Sequence, residues 1–461
     1  MAASPRRTKQ PNQALGQLIT ASGASHKALA HRVNQLAQRA GKKREYTHTS
    51  VANWVERGMQ PKPPIPSLIA AALGERCGRP VSLAEIGMDS PNVPDATGLD
   101  FARDPQDAIR LAADFWSHVD RRALIGTSAF AISAFATPVT RWLVSQADDG
   151  VARYDGRRVG RAAVAELWEA AREAQSWDSK YGGGNWKSNQ VADCLTHRAA
   201  PLLRGQYTEP VGRALFSVTS ELSRVAGWSA LDIGHHDVAQ RHFIQALRLA
   251  RAGADVQLGS YVLTTMALHA LLRGYTSEAI DMAQGAYARG KRAAAPRVLA
   301  FTKLIEARAH GKARDPRSAA AALAGSEALL DRARQQSDEP EWIGYFTHAR
   351  MSADAAEIYR DLHIPQVALQ WHSQAAAMSA RSFTRSVGLR YAVVGTVHLQ
   401  NRDLDQGLNL GHQAVDILAN VESSRARDYV RDFVTALAPW QGESRVNDFI
   451  KHARRELSMS A

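Results

Sequence analysis

Apolar residues recur along this chain at spacings of three and four, Ala and Leu are frequent, and no long β-branched alternation occurs. That periodicity predicts helices almost throughout. Near the N-terminus it predicts a helix from Asn12 to Ser22, and a second beginning His26-Lys27-Ala28-Leu29-Ala30 with Ser25 as its cap. A third is capped by Thr47 and ended by Gly58, and a fourth runs over Leu68–Gly74. The Pro/Gly-rich run from Gly58 to Pro66 separates the third from the fourth. Asp89 to Gly98, with Pro91 and Pro94, predicts a linker. These breaks divide the chain into a head at 1–90, a helical connector at 91–160 and a long helical region at 161–461.

The long region repeats. Gly227, Gly234, Ala239, Phe243 and Ala246 carry the spacing of a tetratricopeptide (TPR) helix pair, in which small residues sit where two helices cross closely. Weaker copies follow at Ala267, Gly274, Ala279 and Ala286. A blurred one lies near Ala309 to Ala328, then one at Ala356, Tyr359, Ala368 and Ala375, and one at Gly395, Asp403, Gly407 and Ala414. The anchors 239, 279, about 320, 368 and 407 lie near 40 apart rather than the 34 of the TPR period. The expected fold is therefore all-α: an N-terminal helix-turn-helix bundle followed by an α-solenoid of TPR-like helix pairs. Arg425 to Leu457 supplies two capping helices, and a concave face serves for binding.

Composition changes this picture in one respect. Net charge is +12, and thirteen of the 57 Lys/Arg fall in residues 1–80 against only Glu45, Glu56 and Glu75. The remaining 381 residues are nearly neutral, with 44 basic and 42 acidic groups. A basic head on a neutral body points to a polyanionic partner at one end. Two cysteines, Cys77 and Cys194, make no disulfide framework and fit a reducing cytoplasm. The first residues are polar and basic without an apolar core, so no signal peptide is expected. Ala123–Thr140 is uncharged, but it is rich in small residues, contains Pro138 and is short for a span. It reads as a buried or interdomain packing segment, and a membrane partner is not expected.

On the third helix Val51, Trp54 and Val55 share one stripe, which leaves Thr49, Ser50, Asn53 and Arg57 facing outwards. The run Thr47-His48-Thr49-Ser50-Val51-Ala52-Asn53-Trp54-Val55-Glu56-Arg57-Gly58 resembles the recognition helix of the XRE/Cro-repressor family. Ser25-His26-Lys27-Ala28-Leu29-Ala30 is similar to that family's second-helix start. One departure is the long interval Asn34–Tyr46, read as an elongated second helix plus a basic loop. The resemblance implies a helix in the DNA major groove. Its base-edge candidates are Thr47, His48, Thr49, Ser50, Asn53 and Arg57, with Asn53 suited to adenine and Arg57 to guanine or a phosphate. Ser25, His26, Lys27, Lys42, Lys43 and Arg44 are the phosphate candidates.

With Ala226-Gly227-Trp228, the run Ala239–Leu247 and Tyr181-Gly182-Gly183-Gly184-Asn185, the whole chain resembles actinobacterial regulators that join an XRE-type head to TPR-like repeats. Such regulators are associated with sporulation and antibiotic production. That likeness implies a cytoplasmic, homodimeric transcription regulator, a repressor, whose partner is double-stranded DNA. The arrangement is also similar in architecture to the peptide-sensing quorum regulators of Gram-positive bacteria, so a peptide or small-molecule effector in the TPR groove is expected. The competing reading is a TPR interaction scaffold with a loosely binding basic head.

The glycine run Gly182–Gly184, between aromatic and charged residues, permits close backbone approach, either to a ligand or in a structural turn. Asp178, Lys180, Tyr181, Asn185 and Trp186 are the effector-contact candidates. It lacks the Gly-Lys-Ser/Thr ending of a P-loop. His235, His236 and His242 lack a completing ligand set, so no metal is expected, and the histidines at the turn read as ordinary surface residues. Asp193, Cys194 and His197 lack a nucleophile context. No cofactor fingerprint occurs, and an enzyme is not expected.

Overall fold

The structure is a computed structural model. It describes residues 11–39, 45–61, 65–77, 81, 83, 85–88, 97–119, 130–144, 148, 156, 158–184, 186–335, 338–375 and 383–457. Among these the chain is all-α, with one isolated parallel bridge between Arg158 and Gln206 and no strand. It divides into two compact units, one of residues 1–96 with 121–130, the other of residues 97–120 with 131–461.

The first unit holds α1 (Gln13–Ala21), α2 (His26–Arg39), α3 (His48–Glu56) and α4 (Ile65–Cys77). Its core joins Leu15 and Ile19 of α1, Leu29 and Val33 of α2, Val51 and Trp54 of α3, and Ile69 and Leu73 of α4. Each such side chain removed from water contributes roughly 1.5–3 kcal/mol. Asn12 fixes the corners. Its Oδ1 accepts from Leu15 N at 3.0 Å, its Nδ2 donates to Ile86 O at 2.8 Å, and its backbone N donates to Val55 O at 2.7 Å. Gly23 and Gly58 take positive φ just past α1 and α3, where a side chain would be strained.

The second unit begins with α5 (Pro105–Val119), a short 3-10 turn Ile132–Phe135 and α6 (Ala136–Val144). Then come α7 (Arg161–Tyr181) and α8 (Trp186–Cys194), which passes through a π turn into α9 (Ala200–Leu203). Six helix pairs follow: α10 (Glu209–Asp232) with α11 (His236–Ala252), α12 (Val256–Leu272) with α13 (Thr276–Gly290), and α14 (Pro296–Lys312) with α15 (Pro316–Ala333). The others are α16 (His348–Asp361) with α17 (Pro365–Gln374), α18 (Thr384–Gln400) with α19 (Leu404–Leu418), and α20 (Ser424–Ala436) with α21 (Ser444–Glu456).

The first five pairs share one register. Gly227, Ala267, Ala307, Ala356 and Gly395 are buried on the first helices, and Ala239, Ala279, Ala319, Ala368 and Gly407 on the second. Between them Gly234, Gly274, Arg314, His363 and Arg402 all take positive φ at the same place in the turn. Two are glycines; the other three hold the left-handed conformation despite a Cβ. The third copy, indistinct in sequence, is regular in space. Glycine is replaced there by Arg314, and the closing small residue is Ser326, whose Oγ donates to Ala300 O at 2.7 Å.

A strap crosses the outer face of α11. Gln240, Arg241, Gln245 and Arg248 are buried polar side chains along that helix. Arg241 Nη1 donates to Thr97 O, Gln245 Nε2 to Gly98 O at 2.8 Å, and Arg248 Nε to Ala102 O at 2.5 Å. Gln240 exchanges both amide bonds with the backbone of Ala131. Of the uncharged run 123–140, residues 123–129 lie outside the described ones. Within the rest, Ile132–Phe135 forms the 3-10 turn and residues 136–140 start α6, with Phe135 and Pro138 buried. No helix among the described residues is long and apolar enough to cross a membrane.

The row of pairs also closes on itself. Helix α7 packs on both α10 and α18. Glu422 N donates to Tyr181 O at 3.0 Å, Gly184 N to Glu422 O at 3.0 Å, and Ser424 Oγ to Asp232 O at 2.9 Å. The glycine run makes this closure sterically possible. A Cβ on Gly183 would stand 2.4 Å from Ser229 O, and one on Gly182 2.6 Å from Glu422 O. The close approach that these glycines allow is thus to the protein's own backbone.

Candidate functional site

Two places in the molecule gather chemistry. The first is the outer face of α3. Val51 and Trp54 seat the helix in the bundle, with Tyr46 packed 5.3 Å from the Trp54 ring. Thr47, His48, Thr49 and Arg57 are exposed, and Ser50 and Asn53 half-buried. Thr49 Oγ1 lies 3.4 Å from His48 Nε2. Ser50 has a structural task besides: its Oγ accepts from Thr47 N at 3.2 Å, while its own N donates to Thr47 O at 2.9 Å. The N-terminus of α3, with its free amide donors, carries partial positive charge and opens beside these side chains.

Helix α2 contributes Lys27, exposed, and His26, half-buried. Ser25 Oγ accepts from Ala28 N at 3.1 Å and so caps α2. Arg32 is engaged within the bundle, with its Nε and Nη2 on Glu75 at 2.6 and 2.8 Å. Lys42, Lys43 and Arg44 lie outside the described residues. A residue that sequence reading passed over positions this face. Asn34 of α2 donates from Nδ2 to Tyr46 O at 2.7 Å and accepts from Tyr46 N at 2.8 Å, clamping the strand of chain that leads into α3. A half-buried Asn on a long amphipathic helix gives little signal on its own, because its partner is backbone twelve residues away.

The second place is a cavity inside the closed row of pairs. The first helix of each of the six pairs and α7 line it, leaving about 740 Å³ of space, part of it open to solvent, beside a second chamber of about 480 Å³. Guanidinium and carboxylate groups interleave across its walls. Arg308 donates to Asp354 at 2.9 Å and to Glu357 at 2.8 Å. Arg350 donates to Asp354 at 2.8 Å and to Ser386 Oγ at 3.1 Å. Arg385 reaches Asp178 Oδ2 and Asp232 Oδ2, each at 2.7 Å. Burial opposes charge on Arg308 and on Arg385, but their carboxylate partners overcome it and raise both pKa values. Burial likewise pushes the Glu357 carboxyl up, yet Arg308, Arg360 and Lys312 together hold it down at about 2. Tyr429, donating to Glu357 at 2.7 Å, is pushed up to about 12 by burial and that carboxylate.

Of the effector-contact candidates, Asp178 is on the cavity wall, buried, and accepts from Trp228 Nε1 at 3.1 Å as well as from Arg385. Lys180 is exposed over the ring of Tyr181 at 4.9 Å, and Tyr181 stacks on Trp177 at 5.0 Å. Asn185 and the Trp186 side chain lie outside the described residues. The arginines opposite, which sequence reading missed, are spread over residues 224–425 on five helices. His236, expected at an exposed turn, is half-buried and stacks on His269 at 5.4 Å. His242 is buried at 4.7 Å from Phe115.

Comparison with known families adds one match, to the SP15 N-terminal domain, over residues 15–89. That stretch contains all four helices of the first unit except the first two residues of α1. No curated protein matches the chain.

Proposed function

We propose that this chain is a sequence-specific transcription regulator, a cytoplasmic homodimer that acts as a repressor on double-stranded DNA through α3, with the TPR-like helix pairs carrying dimerisation and effector sensing. One observation carries the reading. A nine-residue helix is anchored by Val51 and Trp54 and turns Thr47, His48, Thr49, Asn53 and Arg57 outward at its two ends and along one side. Short donors and acceptors at a helix N-terminus suit base edges in the major groove. Lys27 and Ser25, at the N-terminus of α2, are suited to phosphates, which position the protein without specifying sequence. The concentration of basic residues in the first 80 supplies the long-range attraction.

Selection of duplexes from a random pool by the full chain tests the proposal. The expected result is enrichment of an inverted repeat with half-sites about one helical turn apart. Asn53→Ala should lose roughly 1–3 kcal/mol on the enriched duplex and relax preference at one base position. A pool that shows no enrichment at low salt would favour an interaction scaffold instead.

A further inference from the structure

We infer that the interior cavity of the second unit binds a small amphiphilic anion, its ring system in the aromatic chamber and its oxyanion head group between Arg390 and Arg425. This rests on the proposed sensing role of the helix pairs and names the class of ligand sensed. The two chambers share the wall formed by Trp228, Arg308, Arg350, Asp354, Arg385 and Ser386, so one molecule can occupy both. The larger chamber is faced with Tyr261, Phe301, Tyr345 and Phe383. The smaller is faced with Arg390, Arg425, Leu389 and Val393.

The sign of the ligand follows from the charges left over. Each carboxylate of the cavity already serves guanidinium groups: Asp354 takes Arg308 and Arg350, Glu357 takes Arg308 and Arg360, and Asp178 takes Arg385. Asp232 is bound by Arg385 and reached by Arg425 only at 3.6 Å. Arg390 has no ion pair among the described residues, and its Nη1 donates to Ala375 O. Arg390 and Arg425 are only 7% and 8% exposed, yet the Nε of each finds no hydrogen-bond partner among the described residues. Burying a guanidinium with open donors is costly, and the cost is relieved when an anion arrives. Burial accordingly lowers the Arg390 pKa, against the smaller opposing effect of Tyr391. Arg425 already lies over the Trp228 ring at 5.0 Å, which holds its planar group in place.

The test uses the full chain without DNA and the fluorescent probe 1-anilinonaphthalene-8-sulfonate, with neutral N-phenyl-1-naphthylamine as the same ring body lacking the anion. One saturable site per chain is expected for the sulfonate. Arg390→Met and Arg425→Met should each weaken it at least about tenfold, Arg390→Lys less so, and neither Met variant should alter binding of the neutral amine. Arg390→Met should also leave the unfolding midpoint unchanged or higher, since no carboxylate loses its partner; an arginine with a merely structural role would lower it. Competition by 1-naphthoate or by 1-naphthyl phosphate identifies the head group as carboxylate or phosphate, and displacement by neither counts against the inference. Equal sulfonate binding by wild type and both Met variants overturns it. If the sulfonate fails to bind while the chain still enriches duplexes, this inference falls and the DNA-binding reading stands. If it binds through Arg390 and Arg425 but no duplex is enriched, the site stands and that reading falls.

Discussion

The two units treat charge in opposite ways. In the first, the polar side chains of α3 stand outside an apolar bundle, and its main ion pair, Arg32 with Glu75, is itself part-exposed. In the second, arginines and carboxylates are turned inward: Arg224, Arg308, Arg385, Asp178, Asp232 and Glu221 are all buried. A surface pair of the first kind contributes little to stability, and its groups stay available to a partner. A buried network of the second kind adds little net stability over an apolar core, but is severely damaged by loss of one member. The same residue types therefore stand on the surface in one unit and form a specified interior in the other.

The largest effect that would break this contrast is on the buried network. Arg308→Ala leaves Asp354 and Glu357 short of a partner, and should cost about 3–5 kcal/mol in urea unfolding of the full chain. A loss below about 1 kcal/mol would mean that these charges are effectively solvated and the contrast is false.

Acid sharpens it next. Burial lowers the pKa of His242 to about 3 and, together with Arg273, that of His236 to about 4. Unfolded, each takes up a proton near pH 6.5. Between those values the unfolded chain binds more protons, so stability is complete above pH 6.5 and falls as pH is lowered toward 3–4. His242 alone should remove about 2 kcal/mol between pH 6.5 and 4.5, the slope approaching roughly 1.4 kcal/mol per pH unit at the lower end. Unfolding curves at the two pH values check this, and His242→Phe should show a shallower dependence. An unchanged slope in that variant would assign the acid sensitivity elsewhere.

The smallest effect lies in the first unit. Asn34→Ala removes both bonds to Tyr46 and should cost about 1–2 kcal/mol. Faster amide exchange should be confined to the start of α3. Exchange that rises across the whole bundle would show that Asn34 supports the core rather than the presentation of the helix.

Much of this was legible in the sequence, for identifiable reasons. The helix pairs show through because close crossings need small residues, so that Gly227, Ala239 and Ala246 keep their spacing from one copy to the next. The third copy blurs where Arg314 and Ser326 stand in for glycine and alanine and where the step to Ala356 lengthens. On α3 the apolar stripe Val51, Trp54 and Val55 predicts the buried side, although Val55 is only half-buried. The cavity was not legible. Its arginines are spread over five helices, and several ion pairs join residues remote in sequence: Arg308 and Asp354 are 46 residues apart, Arg385 and Asp178 207. The glycine run reads correctly as a site of close backbone approach, but spacing alone cannot say that the approaching groups are Ser229 and Glu422.

The most direct test of the account is a salt titration of full-chain binding to an enriched duplex, comparing wild type, Arg57→Ala on α3 and Arg317→Ala on the exposed surface of α15. Both variants remove one exposed positive charge. The account predicts that Arg57→Ala weakens binding and reduces the slope of log K against log salt by up to about 0.9, while Arg317→Ala leaves both unchanged. Equal responses from the two variants, or none from Arg57→Ala, would contradict it.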